Sequence, residues 1–125
     1  MDDIKENVDR IVFVPLELRD YEMCYFVVSK KGILLHHVPV HLRDEKMCSK
    51  AVEMDARALA YVKNKNYDLC LRAVQQNGLA ISLVPPEFRN MNLILTAVRQ
   101  NGCALGYLNE SEITEEVRRE ALNQT

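Results

Sequence analysis

The chain of 125 residues carries a formal net charge of −2 at pH 7, with 48% apolar and 27% charged residues. This length supports one globular domain with its own core, and the composition excludes a disordered or collagen-like chain. The small net charge gives no reason to expect a nucleic-acid ligand, because phosphate-driven binders are basic. No stretch approaches the roughly 20 apolar residues of a membrane span.

The start of the chain, MDDIKENVDR, is acidic and polar, unlike the positive and apolar start of a secretory signal. We therefore expect a cytoplasmic protein. Residues 2–13 then place Ile4, Val8 and Ile11 on one helical face, which predicts an N-terminal capping helix.

Residues 14–37 show the first complete repeat. The turn phrase VPLELRD (14–20) ends in Asp20, a strong helix N-cap residue, and an apolar stripe at helical spacing follows from Met23 to Val28. The leucine of the turn is expected to tuck in beneath its proline. Gly32 is expected to stop the helix in a positive-φ conformation, and residues 33–35 predict a brief second helix that returns the chain.

The same pattern returns in residues 38–61, 62–83 and 84–107, so that AVQQNGLAI (73–81) reappears as AVRQNGCAL (97–105). The third repeat shortens the turn phrase to VKNKN (62–66), which explains a step of 22 instead of 24 residues. Ala56 stands where other repeats have glycine, so that helix should end differently. The five predicted N-caps are Asp20, Asp44, Asn66, Asn90 and Thr114.

Residues 114–124 predict a C-terminal capping helix with Val117, Ala121 and Leu122 inward and a charged outer face. The predicted fold is therefore all-α: a small solenoid-like array of about five 22–24-residue helix–turn repeats with capping ends, forming one domain over residues 1–125. Cys24, Cys48 and Cys70 recur at one repeat position, which indicates a small buried site and not a disulfide framework.

A repeat phrase runs through these units: cap–xxx–apolar–xx–AV–xxx–G–x–AL–x–Y, then a turn ending in Leu/Phe-Arg-Asp/Asn. It resembles a family of tandem short helical repeats of unknown function, which occurs in bacterial proteins, some of them secreted effectors, and in amoebae and their viruses. The resemblance covers residues 10–113, most clearly 67–107, and is weaker in 12–37, where Val27 replaces alanine. It implies an all-helical repeat scaffold and no catalytic residues.

The histidines offer the main candidate for chemistry. His37 and His41 have the spacing of two metal ligands on a helix, and Cys24 or Cys48 could complete a zinc site. Pro39 interrupts any such helix, and the histidines recur in no other repeat, so we interpret them as surface residues. No triad or phosphate loop is present. We expect neither an enzyme nor a bound metal or cofactor.

One position directly before each cap is basic in four repeats, which forms a ladder of Arg19, Arg43, Lys65 and Arg89. Two interpretations stay open for this ladder. The side chains could bond the last carbonyls of a neighbouring helix or pair with nearby aspartates, which would serve every joint alike. They could instead form a shared partner-binding edge.

Repeat arrays usually present an extended surface to another macromolecule. We therefore expect a non-catalytic protein–protein interaction module with a protein partner. The alternative is an effector or anti-defence inhibitor, delivered into a host cell, that acts on a nucleic-acid-handling enzyme or nucleic acid through the basic ladder. Homodimerisation through exposed apolar surface stays open.

Overall fold

The structure is a computed structural model that describes residues 2–123, and within them every regular element is helical. The predicted all-α repeat class is thus confirmed. Six α-helices occur: α1 (Asp2–Glu6), α2 (Tyr21–Lys30), α3 (Glu45–Met54), α4 (Tyr67–Gln76), α5 (Met91–Gln100) and α6 (Glu115–Leu122). Over the same residues, none of these helices has the length and apolar character needed to span a membrane.

The second element of each repeat is a six-residue 3₁₀ helix, found at Val8–Phe13, Gly32–His37, Ala56–Tyr61, Gly78–Leu83 and Gly102–Tyr107. A short 3₁₀ turn follows four of them, at Leu16–Leu18, Val40–Leu42, Pro86–Phe88 and Glu110–Glu112. Residues 62–66, where the turn phrase is shortened, lack this turn. The predicted brief helix is therefore confirmed, with the tighter 3₁₀ winding typical of short connectors.

The predicted caps begin all five long helices. In each, the side-chain oxygen accepts a hydrogen bond from the backbone N–H three residues later, for example Asp44 from Met47 at 2.8 Å and Asn90 from Leu93 at 2.9 Å. Asp20, Asn66 and Thr114 do the same. Each cap satisfies one of the amide groups that a helix start leaves without a partner.

The N-terminal segment differs from the single capping helix that the sequence predicts. Helix α1 ends at Glu6, and Asn7 then accepts a hydrogen bond from the Asp9 N–H at 3.0 Å to begin the first 3₁₀ helix. Asp55, Asn77 and Asn101 begin the later 3₁₀ helices in the same way. Residues 2–13 are therefore the second half of a repeat. The predicted inward residues of this segment are buried: Ile4, Val8 and Ile11.

The chain, predicted as one domain, groups into two compact units, one up to Lys63 and one from Asn64 onward. The boundary falls inside the shortened turn phrase. Each unit has its own core, built from the same repeat positions: Cys24, Val28, Cys48 and Val52 in the first, and Cys70, Val74, Ile94 and Val98 in the second. In the predicted C-terminal cap Val117 and Ala121 are buried, whereas Leu122 is exposed; residue 124 lies outside the described residues.

The glycines serve a different purpose from the one predicted. No glycine among the described residues has a positive φ, and the residue before each 3₁₀ helix is extended. A Cβ atom built on Gly32 would overlap the carbonyl oxygen of Ala51, and one on Gly78 would overlap that of Ala97. Glycine is therefore needed because the start of the 3₁₀ helix touches the backbone of the next α-helix.

Helix α3 shows that this stop does not need glycine. The sequence predicts a different ending here because Ala56 replaces glycine, yet α3 ends at Met54 and the 3₁₀ helix begins at Ala56 as in the other repeats. The prediction was wrong because Asp55, the residue before Ala56, ends helix α3 and begins the 3₁₀ helix. The Asp55 side chain accepts a hydrogen bond from the Arg57 N–H at 3.0 Å. The backbone of Asp55 is extended, a conformation that any residue adopts, so the helix can end here without glycine.

We expect Gly78→Ala to lower the free energy of unfolding by about 1–3 kcal/mol, because the added methyl group forces the 3₁₀ helix away from α5. Gly106→Ala is the matched control, since no atom lies within 4 Å of a Cβ built there. This control should be neutral or stabilising by up to about 1 kcal/mol. Urea unfolding of both variants measures the difference, and equal stability would contradict the close-approach explanation.

Candidate interaction surface

The arginines of the ladder bind backbone carbonyls. Arg43 Nε donates to Val38 O at 2.9 Å, Nη1 to Tyr61 O at 3.0 Å and Nη2 to His36 O at 3.2 Å. Val38 and His36 lie just before the turn that carries Arg43. Tyr61 is the last residue of the 3₁₀ helix in the next repeat. One side chain thereby joins two successive repeats.

The other two arginines repeat this geometry. Arg19 donates to Val14 O at 2.8 Å and to His37 O at 2.7 Å. Arg89 donates to Val84 O and to Tyr107 O, both at 3.2 Å. Arg89 also pairs with Glu112 at 3.2 Å, where the two side chains are only 12% and 16% exposed. We call these contacts the arginine joints.

The joints match the structural interpretation of the ladder. A guanidinium group has five N–H donors in a rigid fork, and here the fork satisfies carbonyls that 3₁₀ helices leave without partners. A partner-binding role for Arg19, Arg43 and Arg89 stays a prediction. It would have to use guanidinium N–H groups other than those that already donate to backbone carbonyls.

Lys65 is the exception in the ladder, since it stands in the shortened turn and a single ammonium group cannot reproduce the planar fork. Its charge acts on Cys70, where it partly opposes the effect of burial. Burial dominates and raises the pKa of the Cys70 thiol to about 11. The pKa of the Cys24 thiol is likewise raised to about 11, so both groups are protonated at neutral pH.

We expect Arg43→Met to lower the free energy of unfolding by about 1–3 kcal/mol, because it leaves half-buried carbonyls without a donor. Arg72→Met is the control: Arg72 makes an exposed pair with Asp68 at 3.2 Å, which should contribute about 0.5 kcal/mol or less. Chemical denaturation of both variants is the measurement. An unchanged stability of the Arg43 variant would show that the joint is not structural.

The three histidines lie around the first two turns of the chain. The rings of His36 and His37 lie 3.8 Å apart, and His36 stacks on Tyr61 at 4.9 Å. His41 lies in the next turn and is exposed. Across residues 2–123, no three side chains of the metal-ligating types come together. The zinc alternative, with Cys24 or Cys48 as further ligands, therefore has no geometric support there.

His37 has a pKa below its ordinary value of 6.5, first because of burial and then because of the charges of His36 and Arg19; Asp9 acts in the opposite direction. The unfolded chain therefore binds this proton more readily than the folded one. The stability that His37 contributes is complete above pH 6.5 and is lost as the pH falls from 6.5 through the lower folded-state pKa.

We expect the free energy of unfolding to fall between about pH 7 and about pH 5, with a smaller slope in His37→Tyr. Tyrosine occupies the equivalent position at Tyr61 and Tyr107, so this variant should fold. His41→Ser, which copies Ser111 of the last turn, should keep the wild-type slope. Urea titrations at several pH values test this, and identical slopes in all three proteins would refute the role of His37.

The first unit exposes apolar side chains in its turns and at the end of its first 3₁₀ helix. Phe13 is 82% exposed, Leu16 59%, Leu18 62% and Val40 58%. Between the first two turns lies an open groove of about 500 Å³, which we call the turn groove. Its apolar lining is Leu16, Val38, Pro39 and Val40, and its polar lining is Glu17, His36, His41 and Arg43.

The sequence interpretation missed this surface because it placed the turn leucine beneath its proline. Leu18 instead points to solvent, while its counterparts Leu42 and Phe88 are half-buried. A comparison of one turn position across the repeats would have indicated this surface. The position of Leu16 and Val40 reads Pro86 and Glu110 in the second unit, so only the first unit has an exposed valine or leucine at this turn position.

The fold and its joints define an all-helical repeat protein. Residues 44–89 and 66–112 each match the model of one family, described as Domain of unknown function (DUF4116), and together they cover more than half of the chain. The chain therefore belongs to the DUF4116 family. The two matches begin at the caps Asp44 and Asn66, one repeat apart, so the family model spans two repeats. No curated protein and no solved structure shows a significant match.

Proposed function

We propose that the protein is a non-catalytic protein–protein interaction module, and that the turn groove of the first unit is its contact surface. The supporting observation is the exposure of two apolar side chains that line the groove, Leu16 at 59% and Val40 at 58%. Clustered apolar surface with a polar rim is typical of protein interfaces, and its burial drives association.

The rim of the groove suits a protein partner. Glu17 is an acceptor and His36 and His41 are exposed imidazoles, so the groove offers both hydrogen-bond donors and acceptors around an apolar centre. Val38 is buried and Pro39 has a fixed φ, so the floor of the groove is rigid in advance of binding. A preformed apolar centre reduces the ordering cost of association.

The proposal that the protein is not an enzyme rests on the state of its candidate nucleophiles. Burial raises the pKa of the Cys24, Cys48 and Cys70 thiols, which opposes formation of the reactive thiolate. Cys103 is exposed and free, in the 3₁₀ helix of the last repeat. We further propose a cytoplasmic location, consistent with free buried thiols.

The alternative function, an effector or anti-defence inhibitor that acts on a nucleic-acid-handling enzyme or nucleic acid, depends on the basic ladder. Its arginines already donate to carbonyls at 2.7–3.2 Å. Releasing them to bind phosphate would break the arginine joints. The apolar turn groove is therefore the better-supported surface, and it favours a protein partner.

We expect Val40→Glu to abolish partner binding without unfolding the protein. Glutamate occupies the equivalent position at Glu110, so the turn tolerates it, while a charge in the groove opposes burial. Pro86→Glu places the same charge at the equivalent position of the second unit and is the matched control. Quantitative affinity capture from lysate of the source organism compares both variants with wild type.

The expected result is a protein that wild type and Pro86→Glu retain at equal levels and that Val40→Glu loses by tenfold or more. Circular dichroism melting must show all three proteins folded. Equal retention by Val40→Glu, or equal loss by the two variants, would contradict the assignment of the groove as the contact surface.

A further inference from the structure

The two copies of the sequence Gln-Asn-Gly contain a chemically reactive pair. Asn77 precedes Gly78, and Asn101 precedes Gly102, at equivalent positions between an α-helix and its 3₁₀ helix. In an Asn-Gly pair the backbone nitrogen of the glycine can attack the side-chain amide carbon of the asparagine, because glycine has no Cβ atom to hinder the approach. Asparagine is for this reason a thermolabile residue. Each pair is therefore a candidate for hydrolytic self-modification.

The two asparagines have the same conformation. Asn77 has φ −148° and ψ 106°, and Asn101 has φ −154° and ψ 113°. The Oδ1 atom of each accepts a hydrogen bond from the backbone N–H two residues later, that of Leu79 at 3.0 Å and that of Cys103 at 2.9 Å. A difference in reactivity between the two sites must therefore come from the surroundings of the glycine that follows and not from the asparagine itself.

The backbone nitrogen of Gly78 is held by a side chain from the next helix. Gln100, the last residue of α5, accepts a hydrogen bond from the Gly78 N–H through its Oε1 atom. Its Nε2 atom donates to Gln76 O at 3.2 Å, so one amide group bridges the end of α4 and the start of the following 3₁₀ helix. Gly78 is also buried, and it lies against the Ala97 carbonyl. Because its N–H is engaged and enclosed, this nitrogen is hindered from attacking the Asn77 side chain.

Gly102 has a more open environment than Gly78. It is half-buried, and helix α6, which packs on its 3₁₀ helix, ends at Leu122. The position equivalent to Gln100 is residue 124, which lies outside the described residues. Among residues 2–123, no side chain accepts a hydrogen bond from the Gly102 N–H. The nitrogen that would attack Asn101 is therefore the less restrained of the two.

We propose that Asn101 is a site of spontaneous deamidation and isomerisation, and that Gln100 protects Asn77 from the same reaction. The Gly102 nitrogen loses its proton to water or hydroxide and forms a bond to Cγ of Asn101, whose side-chain amide group leaves as ammonia. Water then opens the cyclic imide at one of its two carbonyl carbons, which gives aspartate or isoaspartate. Water is the only co-reactant, so the modification needs no enzyme. It does not involve the turn groove.

The aspartate product is compatible with the repeat. Asp55 has the equivalent position in an earlier repeat, where its backbone is extended and its side chain accepts from the Arg57 N–H at 3.0 Å. Isoaspartate differs, because it adds a methylene group to the backbone between the α-helix and the 3₁₀ helix. The variant Asn101→Asp should therefore melt as wild type does, whereas the isoaspartate form should melt at a lower temperature.

The test incubates the full chain, with its thiols kept reduced, at mildly alkaline pH, which favours the deprotonated nitrogen. Mass spectrometry of proteolytic fragments measures the rate at each asparagine, and the same incubation in guanidinium chloride gives the rates without the fold. The variant Gln100→Leu removes the acceptor for the Gly78 N–H, and Gln100→Glu keeps a carboxylate oxygen there. Gln75→Leu is the matched control, because Gln75 is an exposed glutamine near the end of α4.

We expect similar rates at the two asparagines in the denatured chain, and in the folded protein a rate at Asn77 that is about tenfold lower than at Asn101. Gln100→Leu should raise the Asn77 rate by about tenfold, whereas Gln100→Glu and Gln75→Leu should leave it at the wild-type value. Equal rates in the folded wild type, or an Asn77 rate that a folded Gln100→Leu variant does not change, would overturn the proposal. The wild-type comparison needs no variant, so it decides the matter even where Gln100→Leu fails to fold.

Discussion

The hydrogen bond between a turn arginine and the last carbonyl of the next 3₁₀ helix organises each unit. A 3₁₀ helix of six residues leaves several carbonyls without partners at its end, and burial of such groups is costly. Arg43 satisfies carbonyls on both sides of its turn at 2.9–3.2 Å, so two repeats become one hydrogen-bonded structure. The three arginines of the ladder meet this requirement at their joints.

Local rules account for most of the fold. The sequence predicts the five N-caps, the length of the helices and the buried cysteine position. Each of these depends on residues within one turn of helix. The two-residue deletion in the turn phrase is also visible in the sequence, and the 3₁₀ turn is missing at that place, residues 62–66. The predicted capping helix at residues 2–13 failed for a local reason as well: Asn7 ends one helix and begins another, and an asparagine inside an apolar pattern is easily overlooked.

Features that depend on contacts between repeats could not be predicted in the same way. Gly32 is compatible with a positive-φ stop and with a close backbone approach, and only the position of the Ala51 carbonyl distinguishes them. The arginine ladder was visible, but its acceptor lies 18 residues away in sequence, beyond any local pattern.

Function in a repeat protein resides where one repeat departs from the others, because positions shared by all repeats serve the scaffold. The caps are shared by all the repeats and the arginines and glycines by most of them, and the contacts of each are structural. The exposed Leu16 and Val40 depart from Pro86 and Glu110 at the same position. This departure falls on the first unit, so selection on binding should act there while the second unit retains the scaffold pattern.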